Sequence, residues 1–191
     1  MLRAVPRSTN QTPRLRADPL PTGLHVVLVE PEIPPNTGNI ARLCAATATR
    51  LHLVGTLGFR IDEHAVRRAG VDYWHLVDLQ QHVDFPHFEH AFMGGGGTGG
   101  GGEIAPRPKL HFLSATAKRS YLEADFAPGD ALIFGRESVG LPEELLARYP
   151  DRVLAISTLG AVRSLNLANA VSITLYEALR KLGALESTFM G

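Results

Sequence analysis

The chain reads as an α/β protein with a mainly parallel sheet and helices on both faces, and three observations predict this. Runs of apolar β-formers, among them Leu24–Val29, Leu51–Gly55 and Ala131–Phe134, alternate with helix-like segments along the whole length. The runs are near-continuous in apolar residues, the pattern of strands covered on both sides. Polar loops follow several of them, and α/β proteins bind ligands in loops at the carboxyl ends of strands.

Composition sets the bounds. With 191 residues, 45% of them apolar, there is material for one domain with a real core. Net charge is zero, which excludes a global basic field, yet it is unevenly spread. Residues 1–22 hold Arg3, Arg7, Arg14 and Arg16 against Asp18, leaving +3 there and −3 elsewhere. The single Cys44 excludes an intrachain disulfide framework and predicts a reducing, cytoplasmic setting. No run of 18 apolar residues and no export signal core stands out, so no membrane association is expected.

In chain order, residues 1–22 lack any hydrophobic period and are expected to be a disordered tail, with an RNA-contacting arm as the alternative. The remaining residues, 23–191, are expected to form one domain. Leu24–Val29 is a buried-type strand with His25 at its edge. Three prolines follow within Pro31–Pro35, and the spacing predicts a helix starting near Thr37 to Asn39, with Ile40, Leu43, Cys44 and Thr47 toward the core. Asn39 and Arg42, three apart, share one helix face, and Asn36 stands just before it.

Leu51–Gly55 is the second strand, Glu63–Ala69 a short helix and Tyr73–Val77 a third strand. Arg67 and Arg68 beside Tyr73 and Trp74 read either as a basic, aromatic RNA-facing surface or as a solvated helix face beside a packed aromatic pair. His82, His87, His90 and His111 show no metal-ligand spacing, so no metal site is expected. The glycine-rich stretch 93–103 is expected to be a flexible surface loop; no Lys-Ser/Thr follows to make it a phosphate cradle. Lys109–Ala115 is the next strand.

The densest part runs from Asp130 to Leu182. Strand Ala131–Phe134 breaks at Gly135, whose missing Cβ permits close approach to backbone amides. A further strand, Val153–Ile156, leads into Val162–Ala170, which opens a helix predicted over Leu165–Leu182 with Ser164 as N-cap. Ser, Asn and Arg at a helix start suit a polar or phosphate-bearing ligand. Neither loop matches a dinucleotide or P-loop fingerprint, so a plain nucleotide site is not expected. The last helix carries apolar residues nearly all round, which predicts burial in its own core or against a partner.

Three segments together carry a resemblance: Pro31–Leu43 (PEIPPNTGNIARL), Phe134–Pro142 (FGRESVGLP) and Arg163–Val171 (RSLNLANAV). They resemble the three signature motifs of the SPOUT superfamily of RNA methyltransferases, and within it the small TrmL-like wobble-position tRNA 2′-O-methyltransferases. The likeness covers about Leu24 to Gly183 and includes Arg67–Tyr73. It implies a C-terminal deep trefoil knot, a rare exception to unknotted topology, and a homodimer formed through the knot helix. It implies S-adenosylmethionine as cofactor, S-adenosylhomocysteine as product and no metal. The cofactor would touch Ala115, Thr116, Gly135, Ile156, Ser164 and Leu165. Arg42 would activate the ribose 2′-hydroxyl, with Asn36, Glu137, Ser164 and Asn166 arranging it and the substrate.

A guanidinium is ordinarily protonated, so Arg42 acts either as a base in a strongly perturbed site or as a stabiliser of the developing alkoxide. The implied substrate is the wobble nucleotide, cytidine or a modified uridine, in a tRNA anticodon stem-loop, held by Arg67, Arg68, Arg136 and Arg163. Two alternatives stay open: 2′-O-methylation at another tRNA or rRNA site, and a non-catalytic knotted RNA-binding protein. The tail and the glycine stretch depart from the family pattern, away from all three motifs.

Overall fold

Seven strands of this chain lie side by side in parallel, in the order β4-β3-β2-β7-β5-β8-β6. The computed structural model describes residues 14–59, 74–94 and 107–190. The sheet strands are β2 (His25–Val29), β3 (Arg50–Val54), β4 (Leu79–His82), β5 (Leu110–Leu113), β6 (Arg119–Ser120), β7 (Ala131–Phe134) and β8 (Val153–Ala155). Between them come helices α1 (Pro34–Ala46), α2 (Phe85–Gly94) and α3 (Glu143–Ala147), and α4 (Leu167–Lys181) follows the last sheet strand. A separate antiparallel pair joins β1 (Arg14–Ala17) to β9 (Ser187–Met190).

The near-continuous apolar strands are explained by two covered faces. Val26, Leu28, Leu51, Leu53, Leu132, Phe134 and Leu154 pack with Ile40, Cys44, Val171 and Leu175 of α1 and α4. Val27, Val29, Val54, Phe112 and Ile133 pack on the other side with Phe85 and Phe88 of α2 and Leu145 of α3. Burial pushes the Cys44 thiol up to about 12, so it behaves as a core apolar group.

Several expectations shift. The strand expected over Tyr73–Val77 is not found in its described part: Trp74–Leu76 forms a single 3-10 turn, and the strand is Leu79–His82. As an edge strand with Gln80 and Gln81 exposed, β4 needs few apolar residues and is faint in sequence. Helix α1 starts at Pro34, earlier than Thr37, because prolines fit the first turn where no N–H is required. Residues 14–17 of the expected tail form β1. The predicted helix Glu63–Ala69 and most of the glycine stretch lie outside the described residues. No helix among the described residues is long and apolar enough to cross a membrane.

Beneath α2, three histidines form a row across neighbouring strands. His25 Nδ1 lies 2.8 Å from His52 Nε2, and His52 Nδ1 lies 2.9 Å from His82 Nε2. Phe88 and Phe92 pack edge-on against these rings. His82 Nδ1, at the end of the row, is buried with no hydrogen-bond partner. A lone pair there costs less than an unsatisfied N–H, which favours the tautomers that run from His82 Nε2–H toward His25. Burial lowers His52 to about 3 and His25 to about 4. Both imidazoles are therefore neutral in the folded protein at neutral pH.

Candidate functional site

Because every strand of the sheet is parallel, all the loops after strands reach one rim. The loop after β2 carries Glu30 and Glu32 and leads to Asn36 in the first turn of α1; the loop after β7 carries Gly135–Gly140; the segment after β8 leads to Asn166 at the start of α4. Strands β2 and β7 are neighbours, and α1 packs on α4, so segments more than 100 residues apart meet there.

Their meeting is a directed chain of hydrogen bonds. Asn166 Oδ1 accepts from the amides of Ala168 (2.9 Å) and Asn169 (3.4 Å), capping α4. That fixes the amide, so Asn166 Nδ2 donates to Asn36 Oδ1 at 3.0 Å. Asn36 is then oriented in turn, and its Nδ2 donates to Glu137 Oε1 at 2.9 Å. The Glu137 carboxylate also accepts from the backbone amides of Glu32 (2.8 Å) and Ile33 (3.3 Å). Asn36 is 6% exposed, deep enough that an unpartnered amide would be costly.

A second set of contacts locks the same two loops. The Glu32 carboxylate accepts from Ser138 N at 3.0 Å and Ser138 Oγ at 2.9 Å, while Glu32 N donates to Glu137, a reciprocal clasp. Arg136 pairs with Glu30, Nε to Oε2 at 2.7 Å. Glu30 takes a left-handed φ of 50°, a conformation that costs a non-glycine residue on the order of 1 kcal/mol. Gly135 is required sterically: a Cβ there would lie 2.2 Å from the Gly140 carbonyl carbon and 2.3 Å from Leu141 N. Arg136 and Gly140 exchange backbone hydrogen bonds across this turn.

Of the predicted site residues, Asn36, Glu137 and Asn166 are joined directly. Arg42 is on the exposed side of α1, on the same face as Asn39. Ser164 is exposed and does not cap α4; the cap is Asn166, an equally good capping residue two positions on. Arg163 is exposed in the loop before α4. Arg67 and Arg68 lie outside the described residues. Reasoning from sequence missed Glu30, Glu32 and Ser138; two acids within a proline-stiffened loop were the available signal.

Four of the six residues expected at the cofactor follow neighbouring strands. Ala115 and Thr116 follow β5, Gly135 follows β7 and Ile156 follows β8, and β7, β5 and β8 are adjacent. Ser114 N bonds to Leu154 O, tying the first of these loops to β8. Residues 157–164 are exposed throughout and present Leu159 and Val162 to solvent. Apolar side chains exposed beside loop backbone offer surface for a partly apolar ligand.

An all-parallel sheet with three interlocked polar loops at its carboxyl rim defines an α/β protein with a ligand site of the switch-point type. More particularly, the chain belongs to the SpoU rRNA methylase family, whose model matches residues 23–176. It is 45% identical over 161 residues to a putative tRNA (cytidine(34)-2'-O)-methyltransferase of Geobacillus stearothermophilus, covering 83% of this chain and 94% of that protein. It is 44% identical to the tRNA (cytidine(34)-2'-O)-methyltransferase of Aeromonas hydrophila, covering 84% and 95%. A solved structure concerned with the 2-OH methylation of C/U34 on tRNA matches with TM-score 0.73 and 46% identity, over 85% of this chain and 98% of that one. The AdoMet complex of the SpoU methyltransferase AviRb from Streptomyces viridochromogenes matches with TM-score 0.67 and 25% identity, over 88% of this chain and 60% of that one.

Proposed function

We propose that this protein is an S-adenosylmethionine-dependent tRNA 2′-O-methyltransferase acting on the ribose of the anticodon wobble nucleotide, cytidine or a modified uridine, in the cytoplasm. The observation that carries the proposal is the hydrogen-bonded relay Asn166–Asn36–Glu137, which unites the three sequence motifs at one rim. The identity to wobble-cytidine methyltransferases over most of the chain supports the substrate.

When bound, the cofactor would supply an activated methyl group on a sulfonium for transfer to the ribose 2′-oxygen, with S-adenosylhomocysteine as the leaving group. Little covalent help is needed, so the chain's task is alignment. Ala115, Thr116, Gly135, Ile156, Ser164 and Leu165 hold the cofactor. The relay fixes Asn36 and the turn at Gly135, which set where the ribose lies against it. Arg42 faces the developing alkoxide as a fixed positive charge, the 2′-hydroxyl proton passing to another acceptor. Glu137 is engaged by three donors, which suits it to positioning. Arg163, Arg67 and Arg68 engage the RNA backbone of the anticodon stem-loop, and Arg136, paired with Glu30, meets the RNA as well.

The proposal includes the knot and the dimer. Strand β8 enters between β5 and β6, inside the segment that joins β5 to β7, and Lys181 at the end of α4 bonds to the carbonyls of Leu122 and Ala124 in that segment. Such a path supports threading of α4. Ile173 and Tyr176, 37% and 47% exposed on α4, support a second copy packed on that helix.

The test is methyl transfer from labelled S-adenosylmethionine into tRNA lacking 2′-O-methylation, followed by nuclease mapping. Label in the 2′-O-methylated wobble nucleotide is the expected result. Label at another nucleotide overturns the wobble assignment, and cofactor binding with no label in any RNA overturns the enzymatic reading.

A further inference from the structure

Beside the catalytic relay, on the other side of the turn after β7, lies a half-open hollow of about 460 Å³. None of the residues assigned to the cofactor lines it. Its walls are Val29, Val139, Leu141 and Pro142, and its polar groups are Glu30, Arg136 and Glu143. Arg136 adjoins Glu137 in sequence, but its side chain goes to Glu30 whereas that of Glu137 goes to Asn36, so the turn separates the hollow from the relay.

We propose that this hollow receives one unpaired nucleobase of the RNA substrate, next to the nucleotide being methylated, and holds it through a hydrogen-bond donor on the edge of the base. The inference deepens the methyltransferase reading and rests on it. Size and shape come first: the volume is that of a small-ligand pocket, and its apolar walls suit the face of a flat ring. Val139 is 75% exposed on the tip of the turn, placed to lie against a splayed-out base. Charge then decides between base and phosphate. Two carboxylates and one guanidinium line the hollow, and that guanidinium is already bound by Glu30, so a phosphate would meet net negative charge. Glu143 has no hydrogen bond or ion pair among the described residues, which leaves an acceptor open at the hollow's edge. An acceptor-rich pocket wall recognises donors, which an unpaired base presents as the amino groups of adenine, cytosine and guanine or the ring N–H of guanine and uracil.

The experiment uses the full chain and anticodon stem-loop RNAs in which each unpaired base is replaced, one at a time, by a counterpart lacking a donor: pyrimidin-2-one riboside for cytidine or uridine, purine riboside for adenosine, inosine for guanosine. Binding is read by fluorescence anisotropy, and methylation in parallel. The expected result is one loop position where removing the donor weakens wild-type binding about tenfold, the size of one hydrogen bond to a charged group. In Glu143→Ala the same replacement should have no effect, while the KM for S-adenosylmethionine is unchanged. Val139→Ser should weaken binding of the unmodified RNA by about threefold to tenfold, as lost stacking would. Equal penalties in wild type and Glu143→Ala, or no sensitive position, overturn the proposal while leaving the methyltransferase reading intact. A raised KM for S-adenosylmethionine in Glu143→Ala assigns the hollow to the cofactor and overturns it as well. Failure to bind any anticodon stem-loop sinks both readings together.

Discussion

Two hydrogen-bonded side-chain chains run through this protein, and they are built to opposite ends. At the rim, Asn166–Asn36–Glu137 is anchored at both ends by backbone amides, so every member has its partner and a fixed direction. Under α2, His25–His52–His82 ends in a buried nitrogen with no partner, and its imidazoles are held neutral by burial. The first can hold an exact geometry while open to a ligand. The second contributes packing and makes stability depend on pH. Position on the sheet alone does not distinguish them; the anchoring does.

The largest effect expected at the rim is from Arg42→Ala. Removal of one charge stabiliser should lower the single-turnover methylation rate by about 10²- to 10³-fold, with thermal unfolding nearly unchanged because the residue is exposed. Wild-type rates in this variant would remove Arg42 from the mechanism.

Asn166 allows the cap and the relay to be separated. Asn166→Asp retains an oxygen to cap α4 but loses the Nδ2 donor to Asn36, so the rate should fall by roughly 10- to 100-fold and the buried Asn36 oxygen left unpartnered should cost about 1–3 kcal/mol. Asn166→Ala should lose the rate and, with the cap, about a further 1 kcal/mol of stability, read by denaturant titration. If both variants keep the wild-type rate, the relay is only a helix cap.

Gly135→Ala tests the turn. The added Cβ has no room against Gly140 and Leu141, so the loop must shift, at a cost of about 1–3 kcal/mol and with loss of methylation. An unchanged melting temperature would contradict the close approach.

The histidine row should leave the methylation rate alone and act on stability only. An unfolded histidine titrates near 6.5, whereas folded His25 and His52 stay neutral down to about 4 and about 3. Below about 6.5 the unfolded chain takes up protons that the native protein refuses, so stability should be flat above that pH and fall as pH drops toward 3. By pH 5 the loss should be on the order of 1–2 kcal/mol per imidazole. His52→Leu should flatten that slope in urea titrations at pH 5 and 8, with the methylation rate at pH 8 unaffected.

The sheet was legible because covered parallel strands such as Val26–Val29 and Leu132–Phe134 leave near-continuous apolar runs. Edge strand β4 was not, since half of an edge strand answers to solvent and Gln80–Gln81 carry no signal. At the site, Asn36, Glu137 and Asn166 were found through motif resemblance, which fixes residue identity and spacing. Which of Ser164 and Asn166 caps α4 depends on the chain's path into the helix, and two good caps two residues apart cannot be ranked locally. Glu30 and Glu32 were invisible for a different reason: their partners Arg136 and Ser138 are 106 residues away, and only the pairing of β2 with β7 brings them together.

The most direct test of the central claim, that a motif-spanning relay aligns a wobble ribose for methyl transfer, is the single-turnover rate of 2′-O-methylation at the mapped wobble nucleotide for wild type and Asn36→Ala, with cofactor saturating. A fall of about 10- to 100-fold at that nucleotide, with unchanged S-adenosylmethionine binding, is the predicted result. Equal rates in the two proteins, or methylation mapped to a different nucleotide, would contradict it.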